Sequence, residues 1–305
     1  MKKKNNVIQT TLLGRLGNQL FTYAATRVMA LENDCKLELT EEWVRAHGFT
    51  CRLDCFSIPS GEVKAVADKR FSLKQKIGYF LYLCMCRHKS IVQVHELEKK
   101  YQSLFLKFGL ILNQEGYIKP MTLDPQNYYA LGYFQCDKYF AKHEALIRKE
   151  LTFREDKLCA DAIALGKEIK SRNSVCIHIR MGDYMKDPVF GVCSLDYYYR
   201  ALDRMKQLNP NAEIYVFSDN IDLVKDAMKN LEGTKFHYID AKYNDQESLY
   251  LGSCCRHFIM SNSTFSWWMQ YLSDNKDKIV LAPNRWYNTN NPCDIYQSNW
   301  KLVEV

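Results

Sequence analysis

The strongest constraint on the fold lies in the second half of the chain. Five short apolar runs, at residues 174–179, 213–217, 235–239, 258–260 and 279–281, are separated by segments long enough to be helices. Apolar runs of that length, alternating with helices, make a parallel sheet covered on both faces. Parallel strands all end on one edge of their sheet, and ligands bind in the crevice beyond those carboxyl ends. The residues after each run therefore matter most: Arg180 and Asp183 after the first, Ser218 and Asp219 after the second, Asp240 after the third, Ser261 to Ser266 after the fourth. Four polar clusters scattered in sequence meet at one crevice, the usual place for a nucleotide.

The first half opens in a related way. Residues 7–12 read as a strand, 13–19 as a glycine-containing turn, and Leu20, Phe21, Ala24, Ala25, Val28 and Met29 recur at helical spacing until Asn33-Asp34 closes the run. A strand, a glycine turn and a helix start together present backbone N–H groups that suit a phosphate or a carboxylate. The turn matches neither G-x-G-x-x-G nor a P-loop. Residues 40–127 show few clean periods beyond helices near 72–88 and 93–108. Residues 128–135 read as a buried aromatic strand, and a helix is expected over 137–151. A chain of 305 residues exceeds one ordinary core, so two α/β lobes are expected, 1–155 and 156–305.

Net charge is +7, with 47% hydrophobic residues; the surplus is local. Between Lys64 and Lys100 stand nine basic and three acidic residues, bracketing the apolar run at 77–86. That run is shorter than the roughly 20 residues needed to span a bilayer. It reads as a core helix with a solvated basic flank, with peripheral membrane contact through residues 64–100 as the alternative. No basic motif is interleaved with stacking aromatics, so nucleic acid is not an expected partner. The start, Met1 to Asn6, is charged but has no apolar stretch behind it; it is not read as a signal peptide, and a cytoplasmic protein is expected. The twelve cysteines lack paired C-x-x-C spacing and mostly sit in apolar runs, so they read as reduced core residues with no zinc site.

The Ser261-Asn262-Ser263-Thr264-Phe265-Ser266-Trp267-Trp268 stretch places hydroxyls at a strand-to-helix turn, where they cap the helix and can also bond phosphate oxygens. Trp267 and Trp268 are expected to pack the helix. With this stretch, three other blocks resemble the bacterial α-1,2-fucosyltransferases, which use GDP-fucose. They are Gly14-Arg15-Leu16-Gly17-Asn18-Gln19-Leu20-Phe21, Gly132-Tyr133-Phe134-Gln135 and His178-Ile179-Arg180-Met181-Gly182-Asp183-Tyr184. The resemblance spans nearly the whole chain. It implies an α/β, GT-B-like fold of two Rossmann-like lobes with the donor in the cleft between them, and no metal or other cofactor. It also implies inverting transfer of fucose from GDP-fucose to the 2-hydroxyl of a terminal galactose on a glycan acceptor, which could be lipid-linked and belong to a surface polysaccharide. By similarity Arg180 holds the pyrophosphate, His178, Asp219, Ser263, Thr264 and Phe265 hold the nucleotide, and Asn18 approaches from the other lobe.

Two positions depart from the family pattern. Met181 stands where H-x-R-R-x-D has its second Arg, and Ser218-Asp219-Asn220 replaces Ser-Asp-Asp. Neighbouring side chains diverge in a strand-end turn, so Met181 is expected to pack while Arg180 faces the ligand. Breaking a sugar–phosphate bond puts negative charge on the leaving nucleotide, which metal-dependent transferases commonly meet at a D-x-D site. The chain has no D-x-D, so Arg180 and the helix amides at 263–266 are the natural substitutes. Asp183, Asp187 and Glu247 are candidate bases for the acceptor hydroxyl, and the sequence does not rank them. The competing readings are a GT-B transferase with another donor, a nucleotide- or glycan-binding module without turnover, and a Rossmann oxidoreductase or methyltransferase; the last lacks a G-x-G-x-x-G after a strand.

Overall fold

A computed structural model describes residues 6–61, 63–66, 71–182, 187–229 and 235–305. Asp183, along with Asp68, Lys69 and Arg70 of the basic window, lies outside the described residues. The chain divides into two compact units: 1–152 with 290–296, and 153–289 with 297–305. The sequence alone suggested one break, at 155/156, and gave no sign of the return at 290–296.

The first unit runs β1 (Val7–Thr11), α1 (Leu16–Glu32), β2 (Lys36–Thr40), α2 (Glu42–Ala46), β3 (Val63–Val66), α3 (Leu73–Cys86), α4 (Ile91–Lys100), α5 (Gln102–Lys107), β4 (Leu110–Asn113), β5 (Tyr128–Gly132) and α6 (Glu144–Glu150). Its five strands are all parallel, in the order β3-β2-β1-β5-β4. Helix α1 is buried along most of its length. It is fixed to α6 by Arg27, whose guanidinium donates to both oxygens of Glu150 at 2.8–3.1 Å, and the Tyr23 hydroxyl donates to the same carboxylate. The helix expected over 137–151 is a single helix only from Glu144; two short 3-10 turns, Asp137–Tyr139 and Ala141–His143, precede it.

The second unit runs α7 (Ala160–Ser171), β6 (Ser174–Ile179), α8 (Leu195–Leu208), β7 (Glu213–Ser218), α9 (Ile221–Met228), β8 (Phe236–Tyr238), α10 (Asp245–Ser253), β9 (His257–Ile259), α11 (Thr264–Leu272), β10 (Val280–Pro283) and β11 (Lys301–Val303). All five expected strands form, within one or two residues, and β11 adds a sixth. The order β11-β10-β9-β6-β7-β8 is wholly parallel. Renumbered within the unit it is the Rossmann order 3-2-1-4-5-6, whose switch point falls between its first and fourth strands, here β6 and β9. The core beneath is built from Val175, Ile177 and Ile179 of β6, Tyr197, Tyr198 and Met205 of α8 and Val216 of β7.

All twelve cysteines are free, as expected, but only five are buried, and Cys84 and Cys159 are exposed. Trp267 and Trp268 are fully buried in the packing of α11. No described helix is long and apolar enough to cross a membrane.

Candidate functional site

Both sheets carry sequence-flagged residues where the strand order reverses. In the second unit, β6 delivers His178 and Arg180, and the neighbouring β9 delivers Ser261 to Ser266. Residues 83 and 88 positions apart thereby meet through one imidazole. His178 Nδ1 lies 2.7 Å from Ser266 Oγ and 3.1 Å from Ser261 Oγ, while the Ser261 N–H donates to Ser266 Oγ at 3.2 Å. Burial, and then the neighbouring Arg180 guanidinium, push the His178 pKa down to about 3, so the ring is neutral at physiological pH. His178 is 4% exposed, and these contacts make it the piece that orients the start of α11. Ser263 is the N-cap, its hydroxyl accepting the Phe265 N–H at 3.3 Å. Thr264 and Phe265 are half-buried, and the Phe265 ring stands 5.5 Å from that of His178. Asn262, to which no role had been given, ties the turn to the Phe190 and Trp286 carbonyls at 2.9 and 3.0 Å.

Arg180 sits one residue past β6, its side chain 12% exposed and its guanidinium 3.4 Å from the Asp219 carboxylate. Asp219, at the end of β7, does more than pair with Arg180. Its two oxygens accept the backbone N–H groups of Met181 at 3.0 Å and Gly182 at 3.3 Å. A Cβ on Gly182 would lie 2.6 Å from Asp219 Oδ2, so glycine is what lets the carboxylate close on the turn. The Arg180 N–H is within 3.4 Å of the Tyr198 hydroxyl, a contact with no signal in the sequence. Asp219 therefore acts on Arg180 as a clamp.

Both departures from the family pattern acquire physical reasons. Met181 packs against the core cluster beneath β6, as expected of a side chain pointing away from Arg180. Asn220 is the N-cap of α9, accepting the Leu223 N–H at 3.3 Å, a role Asn fills as well as Asp.

In the first unit, β1 and β5 flank the order reversal, and the other two blocks meet beyond their ends. Gln135 Nε2 donates to Asn18 Oδ1 at 3.0 Å. Asn18 lies in the first turn of α1, behind Gly14 at φ +66°, where a Cβ would stand 2.5 Å from Asn18 Nδ2. Gln19 pins the same turn, donating to the Gly14 and Thr50 carbonyls. On the β5 side, Gly132 takes φ +142°, where a Cβ would meet the Asn113 carbonyl, and buried Phe134 takes φ +53°. A bulky residue in the left-handed region costs of order 1–3 kcal/mol and clusters at functional sites. Gln135 had no assigned role in the sequence reading.

Of the candidate bases, Glu247 is 7% exposed and uses both oxygens on backbone N–H groups, of Cys159 and Asn244, each at 3.1 Å. Burial works against its charge, but the Cys159 thiol together with those N–H groups outweighs it and holds the pKa below the ordinary value. Asp187 accepts the Val189 and Phe190 N–H groups at 2.7 and 2.9 Å. Asp183 lies outside the described residues. Among the described residues no cluster of three His, Cys, Asp or Glu side chains is placed to hold a metal ion.

A Rossmann-ordered parallel sheet with an arginine and a capped helix start at its switch point, following a second parallel unit, defines an α/β, GT-B-like transferase architecture. The chain belongs to glycosyl transferase family 11, whose pattern matches residues 110–304, and it is a glycosyltransferase. Two Escherichia coli proteins are each 27% identical over nearly their full lengths. They are the O-antigen biosynthesis glycosyltransferase WbnK (95% of this chain, 98% of that protein) and an alpha-1,2-colitosyltransferase (98% and 99%). A galactoside 2-alpha-L-fucosyltransferase of Caenorhabditis elegans is 30% identical over 48% of this chain and 43% of its own. The fold resembles that of the alpha-1,6-fucosyltransferase NodZ co-crystallised with GDP, with a TM-score of 0.56, 13% identity, and 88% of this chain and 92% of that one covered.

Proposed function

We propose that the protein transfers L-fucose from GDP-fucose to the 2-hydroxyl of a terminal galactose in surface-glycan synthesis, with inversion at the transferred carbon and without a metal. The observation that carries this reading is Arg180, clamped by Asp219 at the switch point next to the capped start of α11. Charge develops on the nucleotide as the sugar–phosphate bond breaks, and a forked guanidinium with helix-start amides meets it without reorganising. Among the relatives, the name of the Caenorhabditis elegans protein supports the fucosyl group and the galactoside 2-position, that of the colitosyltransferase the 1,2 linkage, and that of WbnK the surface-glycan setting. Asp183, three residues beyond Arg180, is the favoured base, because Asp187 and Glu247 spend carboxylate oxygens on backbone N–H groups. Asn18, held by Gln135, is assigned to the acceptor-side unit.

The test is a product assay with purified protein, GDP-fucose and galactose-terminated acceptors in EDTA, with the linkage read by NMR. An α-1,2-fucoside is expected; complete loss of activity in EDTA restored by manganese would overturn the metal-free part. Arg180→Lys keeps the charge but loses the fork, and kcat/KM should fall by about 100-fold or more with little change in Tm. Near-normal activity in that variant would remove Arg180 from the chemistry. The colitosyl relative favours one second reading, the same reaction with another 6-deoxy sugar donor; a panel of GDP-sugars separates the two.

A further inference from the structure

The sequence reading placed α3 in the core, yet only one of its faces is inside. Gln75, Gly78 and Tyr82 are buried, and Tyr79, Met85 and Cys86 pack on the cluster formed by Val94, Leu97, Phe105 and Leu110. The opposite face is also apolar. Leu73, Ile77 and Phe80 are 76%, 54% and 69% exposed, and Cys84 is exposed as well. These four positions fall at i, i+4, i+7 and i+11, one stripe along the helix, and Leu83 flanks it at 49% exposure. Single exposed apolar residues need no explanation, but a stripe of them does.

Around the stripe the charge has one sign. Lys74 and Lys76 on the helix, and Arg87 and Lys89 in the turn after it, are all exposed, and no acidic residue occurs between Phe71 and His95. The fringe continues into a groove of about 810 Å³ where Lys89, Lys99 and Lys100 outnumber a single carboxylate, Glu96. We propose that the outer face of α3, with the turn into α4, docks on the surface of an anionic lipid bilayer. The helix would lie in the plane of the interface, its apolar stripe at the acyl boundary and its lysines among the phosphates. Fourteen residues are too few to cross a bilayer. A second copy of the chain is the poorer occupant, because twofold pairing of this face would set its basic fringes against each other.

The test is flotation of the full-length protein with vesicles of phosphatidylcholine alone and of phosphatidylcholine with about one-third phosphatidylglycerol. Binding to the anionic vesicles only, abolished at about 0.5 M salt, is expected. The double variant Ile77→Asp/Phe80→Asp should lower the bound-to-free ratio at least tenfold, and Lys74→Glu/Lys76→Glu should lower it about tenfold or more. Both pairs are exposed, so Tm and turnover of a soluble acceptor should stay at wild-type values. Absence of wild-type binding, equal binding to both vesicle types, or full binding by the variants would each overturn the proposal. So would a dimer in solution that Ile77→Asp/Phe80→Asp dissolves while no vesicles are bound.

Discussion

Lowering the pH should destabilise the second unit through His178. The ring is buried beside Ser261, Ser266 and the Arg180 guanidinium, and its pKa is pushed from 6.5 down to about 3. In the unfolded chain the same ring titrates near 6.5. Between those values the unfolded state holds one more proton at this site, so stability is complete above pH 6.5 and is lost as the pH falls toward 3. The slope is about 1.4 kcal/mol per pH unit. From pH 6.5 to 4.5 that is roughly 3 kcal/mol, a large part of the 5–15 kcal/mol that holds a typical domain. The comparison is with His178→Asn, which keeps a polar group and does not titrate. Urea unfolding followed by tryptophan fluorescence suits the question, because Trp267, Trp268, Trp286 and Trp300 lie in the second unit and only Trp43 lies in the first. Shared titrations cancel in the difference, so the wild-type advantage should shrink by about 1.4 kcal/mol per unit below pH 6. A wild-type advantage that stays constant from pH 7 to pH 5 would mean that the ring titrates normally, and would refute the buried, neutral role.

The clamp makes a second prediction: Asp219→Ala and Arg180→Ala should be non-additive in kcat/KM, with a coupling of about 1 kcal/mol or more, and independent effects would deny that Asp219 works through Arg180. Gly182→Ala forces a Cβ against Asp219 Oδ2, and steady-state kinetics with a Tm measurement should show lost activity at nearly unchanged stability. Glu98 behaves oppositely to His178. Burial raises its carboxyl to about 7, so its contribution is present at low pH and is lost between about 4.5 and 7; the destabilisation by Glu98→Gln should therefore be larger at pH 5 than at pH 7.5, read from Tm. Glu150→Ala strands the buried Arg27 guanidinium and should cost about 3–5 kcal/mol in urea unfolding, much of it recovered in Arg27→Met/Glu150→Leu.

The second sheet was legible because its strands are continuous apolar runs ended by polar clusters, and the site followed from those ends. Strand β11 was not, since Lys301–Val303 is three residues with only Val303 buried. Strands β3 and β4 have four residues each, too short for a period to stand out. The 137–151 stretch reads as helix by composition, but Tyr139 and Phe140 are drawn into the core and the chain meets that demand with 3-10 turns. For α3 the error had a different source. An apolar run such as 77–86 does not say which of two helical faces is covered, so Ile77 and Phe80 looked like core although both are exposed. The division of labour in the site was similarly hidden: Asp219 and Arg180 are 39 residues apart, and nothing in either neighbourhood states that the carboxylate serves the turn holding the guanidinium.

The 290–296 return bears on how the protein is made. Asp294 accepts the Tyr117 N–H at 2.9 Å and pairs with Lys138 at 2.9 Å, so the first unit is finished by a residue near the end of the chain. At the usual 5–20 residues per second, roughly seven to thirty seconds of translation separate the emergence of Thr152 from that of Asp294. During that interval the first unit is held without its last piece while the second is being synthesised, and severing the chain at 152/153 would leave neither gene fragment encoding a whole first unit.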